Sequence, residues 1–198
     1  MTLAHRTTHD TTTTDADGAI DFTLPGVASR DAHAVITVLQ DRLNALNDLA
    51  LTLKHIHWNV VGPHFIAVHT MLDPQVDAVR AMADETAERI TALGGIALGT
   101  PGTIVEQRSW DDYSLDRADA IAHLGALDIV YDGLLETYRL AIGGTGELDP
   151  VTQDLLIGHT RDLEQFHWFV RAHLERPSGD LKPAGAHPDR PGAHDART

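Results

Sequence analysis

Five side chains between His57 and Glu88 can ligate a metal ion: His57, His69, Asp73, Asp84 and Glu88. Imidazoles and carboxylates suit iron at both oxidation levels, because hard carboxylate oxygens stabilise the ferric product; zinc suits the same donors. His69 and Asp73 are four apart, as are Asp84 and Glu88, so on a helix each pair projects from one face. Asp73 and Asp84 lie eleven positions apart, about 16 Å along a helix at about 1.5 Å per residue. Ligand bonds are only about 2 Å long, so one straight helix cannot close both pairs on one ion. If the helix packs antiparallel to its own copy across a two-fold axis, the 69/73 pair of one chain meets the 84/88 pair of the other. Two identical sites then form at one isologous interface.

The elements that would position these groups are helical. Leu39, Leu43, Leu46, Ala50, Leu53, His57 and Val60 recur at alternating spacings of four and three, placing His57 on an inward, apolar stripe. With Ser29 as N-cap, this first helix is expected from Arg30 to Val61, ended by Gly62-Pro63. A second is expected from Phe65 to Leu93, stopped at Gly94-Gly95, with a kink or restart at Pro74. Its apolar stripe (Phe65, Leu72, Val76, Val79, Ala83, Ile90) runs beside the ligand stripe. Residues 94–113 are too long for a simple turn and predict a crossover with a short helix over Trp110–Leu115. A third helix is expected from Leu115 to Ile142, closed by Gly143-Gly144. A fourth runs to Arg176, with Asp149 as cap and Pro150 at its first position. Two long helix pairs joined by a crossover make an all-α, ferritin-like four-helix bundle. The expected division is a flexible tail over 1–22, a bundle over 23–176 and a second flexible tail over 177–198.

The run LKHIHWNVVGPHFIAVHTMLDPQVDAVRAMADETAERI resembles the signature of the Dps family, the mini-ferritins also called DNA-binding proteins from starved cells. The similarity extends from about Phe22 to Arg176 and includes WDDYSL and RDLEQFHWFVRAHL. The resemblance implies a ferroxidase centre shared between two-fold-related subunits, with His57, His69, Asp73, Asp84 and Glu88 as its iron ligands. It further implies a homo-oligomer, a twelve-subunit cage, in which peroxide or dioxygen oxidises Fe(II) and ferric mineral collects inside. Glu147, Asp149 and Asp154 fall where similar proteins line a three-fold pore with acids; alternatively, Asp149 caps a helix and the others are solvated. Trp58, beside the ligand His57, is either a core aromatic or an electron source that quenches radicals. Glu164-Gln-Phe-His167 has the Glu-x-x-His spacing of intrachain di-iron bundles, but no second copy exists, and His167 is expected on a packed or partly exposed face. His55, His64, His123, His159 and His173 are read as structural or surface groups.

Composition narrows the alternatives. No cysteine is present among the 198 residues, which excludes disulfides, thiolate metal sites and cysteine nucleophiles. No apolar run approaches a membrane span and the first residues lack a signal-peptide core, so the expected location is the cytoplasm, on the nucleoid if DNA is bound. The formal charge is −14. Residues 1–22 carry a net −3 and residues 177–198 a net zero, whereas phosphate binding needs clustered Lys and Arg. DNA binding is therefore expected to be weak or absent, which favours an iron-oxidising, iron-storing protein over a DNA-compacting structural protein with a secondary metal site. A zinc-stabilised helical assembly without redox activity is the third reading.

Overall fold

Leucine periodicity is the organising feature of the chain, and each long stripe becomes a helix. The computed structural model describes residues 22–175; the tails expected over 1–22 and 177–198 lie outside these residues, Phe22 excepted. Five helices follow in order: α1 (Ser29–Asn59), α2 (Phe65–Ala92), α3 (Pro101–Gln107), α4 (Ala120–Thr145) and α5 (Pro150–Leu174). Two-residue strands β1 (Val60–Val61) and β2 (Ala118–Asp119) pair in parallel, with Val60 opposite Ala118 and Val61 opposite Asp119. Hairpins α1–α2 and α4–α5 pack into a four-helix bundle, with α3 in the crossover. Among the described residues, no helix is long and apolar enough to cross a membrane.

The seven stripe positions of α1 and β1 are buried, as are Leu72, Val76, Val79, Ala83 and Ile90 of α2. They meet Leu124, Leu127, Tyr131, Leu135 and Tyr138 of α4 and Leu156, Leu163 and Val170 of α5 in one core. Each buried leucine contributes about 1.5–3 kcal/mol relative to exposure, so the stripes fix which face of each helix turns outward.

Several boundaries differ from the sequence expectation. Ala28, not Ser29, occupies the N-cap of α1 and supplies no side-chain hydrogen bond; Asp31 in the first turn provides the negative charge that the helix dipole favours. The helix ends before Val60, because this β-branched pair turns extended to join β2, and Gly62 then takes a φ of 95° that glycine alone adopts without strain. Helix α2 is one element through Pro74 rather than a restart. It closes where expected, with Gly94 N–H donating to Thr91 O and Gly95 N–H to Ile90 O, the paired bonds of a Schellman turn.

The short crossover helix lies at Pro101–Gln107, not Trp110–Leu115. Pro101 stands at its first turn after Thr100. The WDDYSL segment is instead held by side chains: Trp110 Nε1 donates to Asp48 (2.8 Å), Arg108 pairs with Asp112 (2.5 Å), and the Tyr113 hydroxyl meets His123 Nδ1 (2.9 Å). Helix α4 begins late, at Ala120, where Asp119 accepts from the backbone N–H of Ile121 and Ala122. It runs through Gly143-Gly144 to Thr145. Glycine permits a left-handed stop without compelling one, and the buried Thr145 hydroxyl bonds back to Ala141 O (2.9 Å) to hold the last turn.

Candidate metal centre

The last turn of α1 and the second turn of α2 bring two imidazoles face to face. The rings of His57 and His69 stack with centroids 3.7 Å apart and planes 24° from parallel. Each Nδ1 reaches the other residue's backbone carbonyl: His57 Nδ1 to His69 O at 3.0 Å, and His69 Nδ1 to His57 O at 2.9 Å. A carbonyl oxygen only accepts, so both Nδ1 atoms carry the proton. In a neutral ring this leaves the lone pair on Nε2, the arrangement by which proteins orient a metal-binding histidine. His57 is 8% exposed and His69 is half-buried. The pair is buried on one side and open on the other.

Asp73, one turn after His69, sits at the same opening. Its Oδ1 lies 3.3 Å from His57 Nδ1 and 3.2 Å from Lys54 Nζ. The Lys54 hydrogen bond, with added attraction from His57 and Lys54, holds this exposed carboxyl below the usual carboxylate range despite some desolvation. Lys54 also lies over the Trp58 ring, 5.7 Å from its centroid. Trp58 is 70% exposed, so it is not a core aromatic of the single chain.

Asp84 and Glu88 are exposed on α2, and among the described residues no hydrogen bond or ion pair holds either carboxylate. Their neighbours behave differently. Glu85 bonds His159 Nε2 at 2.9 Å, and Arg89 bonds Asp149 Oδ2 at 2.5 Å and Thr152 Oγ1 at 3.0 Å, both clamping α2 to α5. The five expected ligands thus fall into two groups in one chain, His57/His69/Asp73 and Asp84/Glu88. The only described trio of ligand-type side chains whose donor atoms all lie within 4.8 Å is elsewhere: Asp128, Asp132 and His167.

Of the three acids near the start of α5, Glu147 and Asp154 are exposed while Asp149 is 3% exposed. Asp149 caps α5 through Val151 N–H, and its Oδ2 also accepts from Thr152 Oγ1 at 2.6 Å. Burial pushes its carboxyl up, but the hydrogen bonds from Thr152 and Arg89 and the Arg89 charge outweigh this and hold it below the ordinary range. Glu164 of the Glu-x-x-His motif pairs with Arg139 instead of turning inward. His55, His123, His159 and His173 each have a hydrogen-bond partner within the chain.

Sequence reasoning missed two features. Lys54 lies one turn before His57 on the same face, a spacing that could have flagged it. Asp128 and Asp132 repeat the four-residue spacing of the His69/Asp73 pair, but their meeting with His167 depends on how α4 and α5 pack.

Comparison with known proteins agrees with this architecture. Residues 36–178 match the ferritin-like domain family. The DNA protection during starvation protein of Mycolicibacterium smegmatis is 53% identical over 176 residues, covering 89% of this chain and 96% of that protein. The structure of DpsA14 from Streptomyces coelicolor superposes with a TM-score of 0.82 at 65% identity, covering 84% of this chain and 99% of that one. Dps from Microbacterium arborescens, solved in a high-iron form, superposes with a TM-score of 0.68 at 31% identity, covering 80% and 97%. Fold and sequence together define a ferritin-like protein. Within that class, the chain belongs to the Dps family.

Proposed function

We propose that this protein oxidises Fe(II) at centres shared between two-fold-related subunits and stores the ferric product inside a twelve-subunit shell. The observation that carries this reading is the His57–His69 pair, whose reciprocal Nδ1–carbonyl bonds leave both Nε2 atoms available beside Asp73. Asp84 and Glu88 are the complementary half: exposed carboxylates that no group in their own chain neutralises. Antiparallel apposition of two α2 helices unites the halves into His57, His69 and Asp73 of one subunit with Asp84 and Glu88 of the other. The high-iron form of a relative supports iron as the cargo. Zinc is a competing ion for the same donors.

In this reading Fe(II) is the substrate. Glu88 anchors the first ion, the imidazoles supply neutral donors, and the carboxylates stabilise the ferric charge. Hydrogen peroxide taking two electrons from two Fe(II) ions is consumed without releasing a hydroxyl radical; dioxygen is the other oxidant. Trp58, exposed and next to His57, is the residue that would donate an electron to a stray radical in this reading. Glu147 and Asp154 are the exposed acids left to attract cations at a three-fold pore, with Asp149 serving as the buried cap behind them.

The family name raises DNA binding as the competing role. Tails of net charge −3 and zero on a chain of −14 disfavour a duplex, so protection by removal of iron and peroxide is the better reading, in the cytoplasm. Stopped-flow absorbance tests it: Fe(II) is loaded anaerobically, oxidant is added, and wild type is compared with a His57→Ala, Glu88→Ala variant. Rapid oxidation lost in the variant is expected. Oxidation by wild type no faster than free iron would sink the ferroxidase reading in favour of a zinc or purely structural site.

A further inference from the structure

We propose that Asp128, Asp132 and His167 form a second, mononuclear divalent-metal site on the α4–α5 face, separate from the ligands of α1 and α2. His167 Nε2 lies 2.7 Å from Asp128 Oδ1 and 3.6 Å from Asp132 Oδ1, and one donor atom from each residue falls within 4.8 Å of the other two. Asp128 and Asp132 are one turn apart on α4, so both carboxylates project from one face toward the imidazole on antiparallel α5. His167 is 7% exposed, and its ring packs beside Tyr131 with centroids 5.8 Å apart. Tyr131 is in turn fixed by its hydroxyl donating to Gln75 (2.8 Å). The nitrogen donor is thereby held on a rigid ring rather than a mobile surface side chain.

Charge and access point the same way. Among the described residues neither Asp128 nor Asp132 pairs with a Lys or Arg, and the nearby Arg139 is engaged by Glu164. A divalent ion beside the imidazole would offset the charge of both carboxylates. Asp132 and His167 line an open cavity of about 550 Å³, from which water can complete the coordination shell. Two carboxylate oxygens and one imidazole nitrogen, with positions left for water, suit Zn(II), Fe(II) or Mn(II). Calcium and magnesium, which prefer oxygen alone, are disfavoured.

The test uses the full-length protein carrying His57→Ala and Glu88→Ala, stripped of metal and titrated with Zn(II) at neutral pH. Asp132→Asn is added in a second protein and His167→Gln in a third. Asp132 is 63% exposed, so its substitution leaves the fold intact, as circular dichroism can verify. The expected result is about one zinc ion per subunit held by the parent and bound at least roughly tenfold more weakly in both variants. Co(II) should give a ligand-field spectrum in the parent that both variants lose. Equal zinc uptake and equal Co(II) spectra in parent and Asp132→Asn would overturn the site. Because the parent already lacks two α1–α2 ligands, neither outcome depends on whether iron is oxidised there.

Discussion

Asp84 and Glu88 share one stretch of α2 with Glu85 and Arg89, yet the two pairs have opposite fates. Glu85 and Arg89 are engaged by His159, Asp149 and Thr152 of α5 and its cap, whereas Asp84 and Glu88 face solvent with no partner among the described residues. The histidines divide the same way. His159 has its Nε2 committed to Glu85, while His57 and His69 commit only Nδ1 and keep Nε2 open. Residue type alone does not separate these groups; along α2 the difference is whether a partner on α5 or its cap already holds the side chain.

The sharpest way to break this contrast is to substitute one member of each pair. Glu88→Gln is expected to slow Fe(II) oxidation at least roughly tenfold, comparable to losing a metal-site partner, with the thermal midpoint unmoved. Glu85→Gln should do the reverse, retaining the rate while lowering stability by about 1 kcal/mol or less, because its carboxylate is partly exposed. Stopped-flow rates and thermal unfolding of the two proteins side by side decide the matter. Equal losses of rate would mean that the division along α2 carries no functional meaning.

A stability effect should dominate at Arg89. Replacing it by Ala leaves the buried Asp149 carboxylate unpaired, and breaking such a pair costs about 3 kcal/mol, read as a lower urea midpoint at fixed protein concentration. The pH dependence follows from the same pair. Asp149 is held below its unfolded value of about 3.9, so it contributes stability that is fully present above that pH. The contribution is lost as pH falls through the lower folded value. Asp149→Asn should therefore destabilise at neutral pH and flatten the acid limb of the stability profile. A parallel acid limb in the variant would show that the carboxylate carries no linked proton.

Much of this was legible beforehand because it is periodic. The stripe from Leu39 to Val60 defined both α1 and the inward setting of His57, and the Asp149-Pro150 pair announced α5. The rest depended on partners distant in sequence. Trp110–Leu115 looks like a helix turn until Asp48 and His123 claim its side chains. Gly143-Gly144 reads as a stop until Thr145 is found buried beyond it. Asp149 could be a pore acid or a cap; Val151 and Thr152 engage it locally, but its ion pair with Arg89, sixty positions away, is invisible to any local pattern. Asp128, Asp132 and His167 likewise meet through helix packing that no local pattern encodes. The spacing of His69/Asp73 and Asp84/Glu88, by contrast, is a local property that the sequence displays without any fold.

Lys54 offers the finest version of the comparison, because it gives the open site a provisional partner. Its ammonium sits 3.2 Å from Asp73 and, under the proposed function, must yield or share the carboxylate when Fe(II) binds. It also adds a like charge beside the incoming ion. Lys54→Met keeps an unbranched side chain of similar length beside Trp58 and removes the competing charge. Since exposed ion pairs are weak, the apparent Fe(II) affinity should rise by at most about fivefold. Anaerobic Fe(II) titration at neutral pH measures it, and the gain should shrink as salt is raised because exposed charges are screened. Weaker binding in the variant would instead make Lys54 a positioning residue that holds Asp73 in its ligating orientation. In that case the difference between committed and open groups is graded rather than sharp.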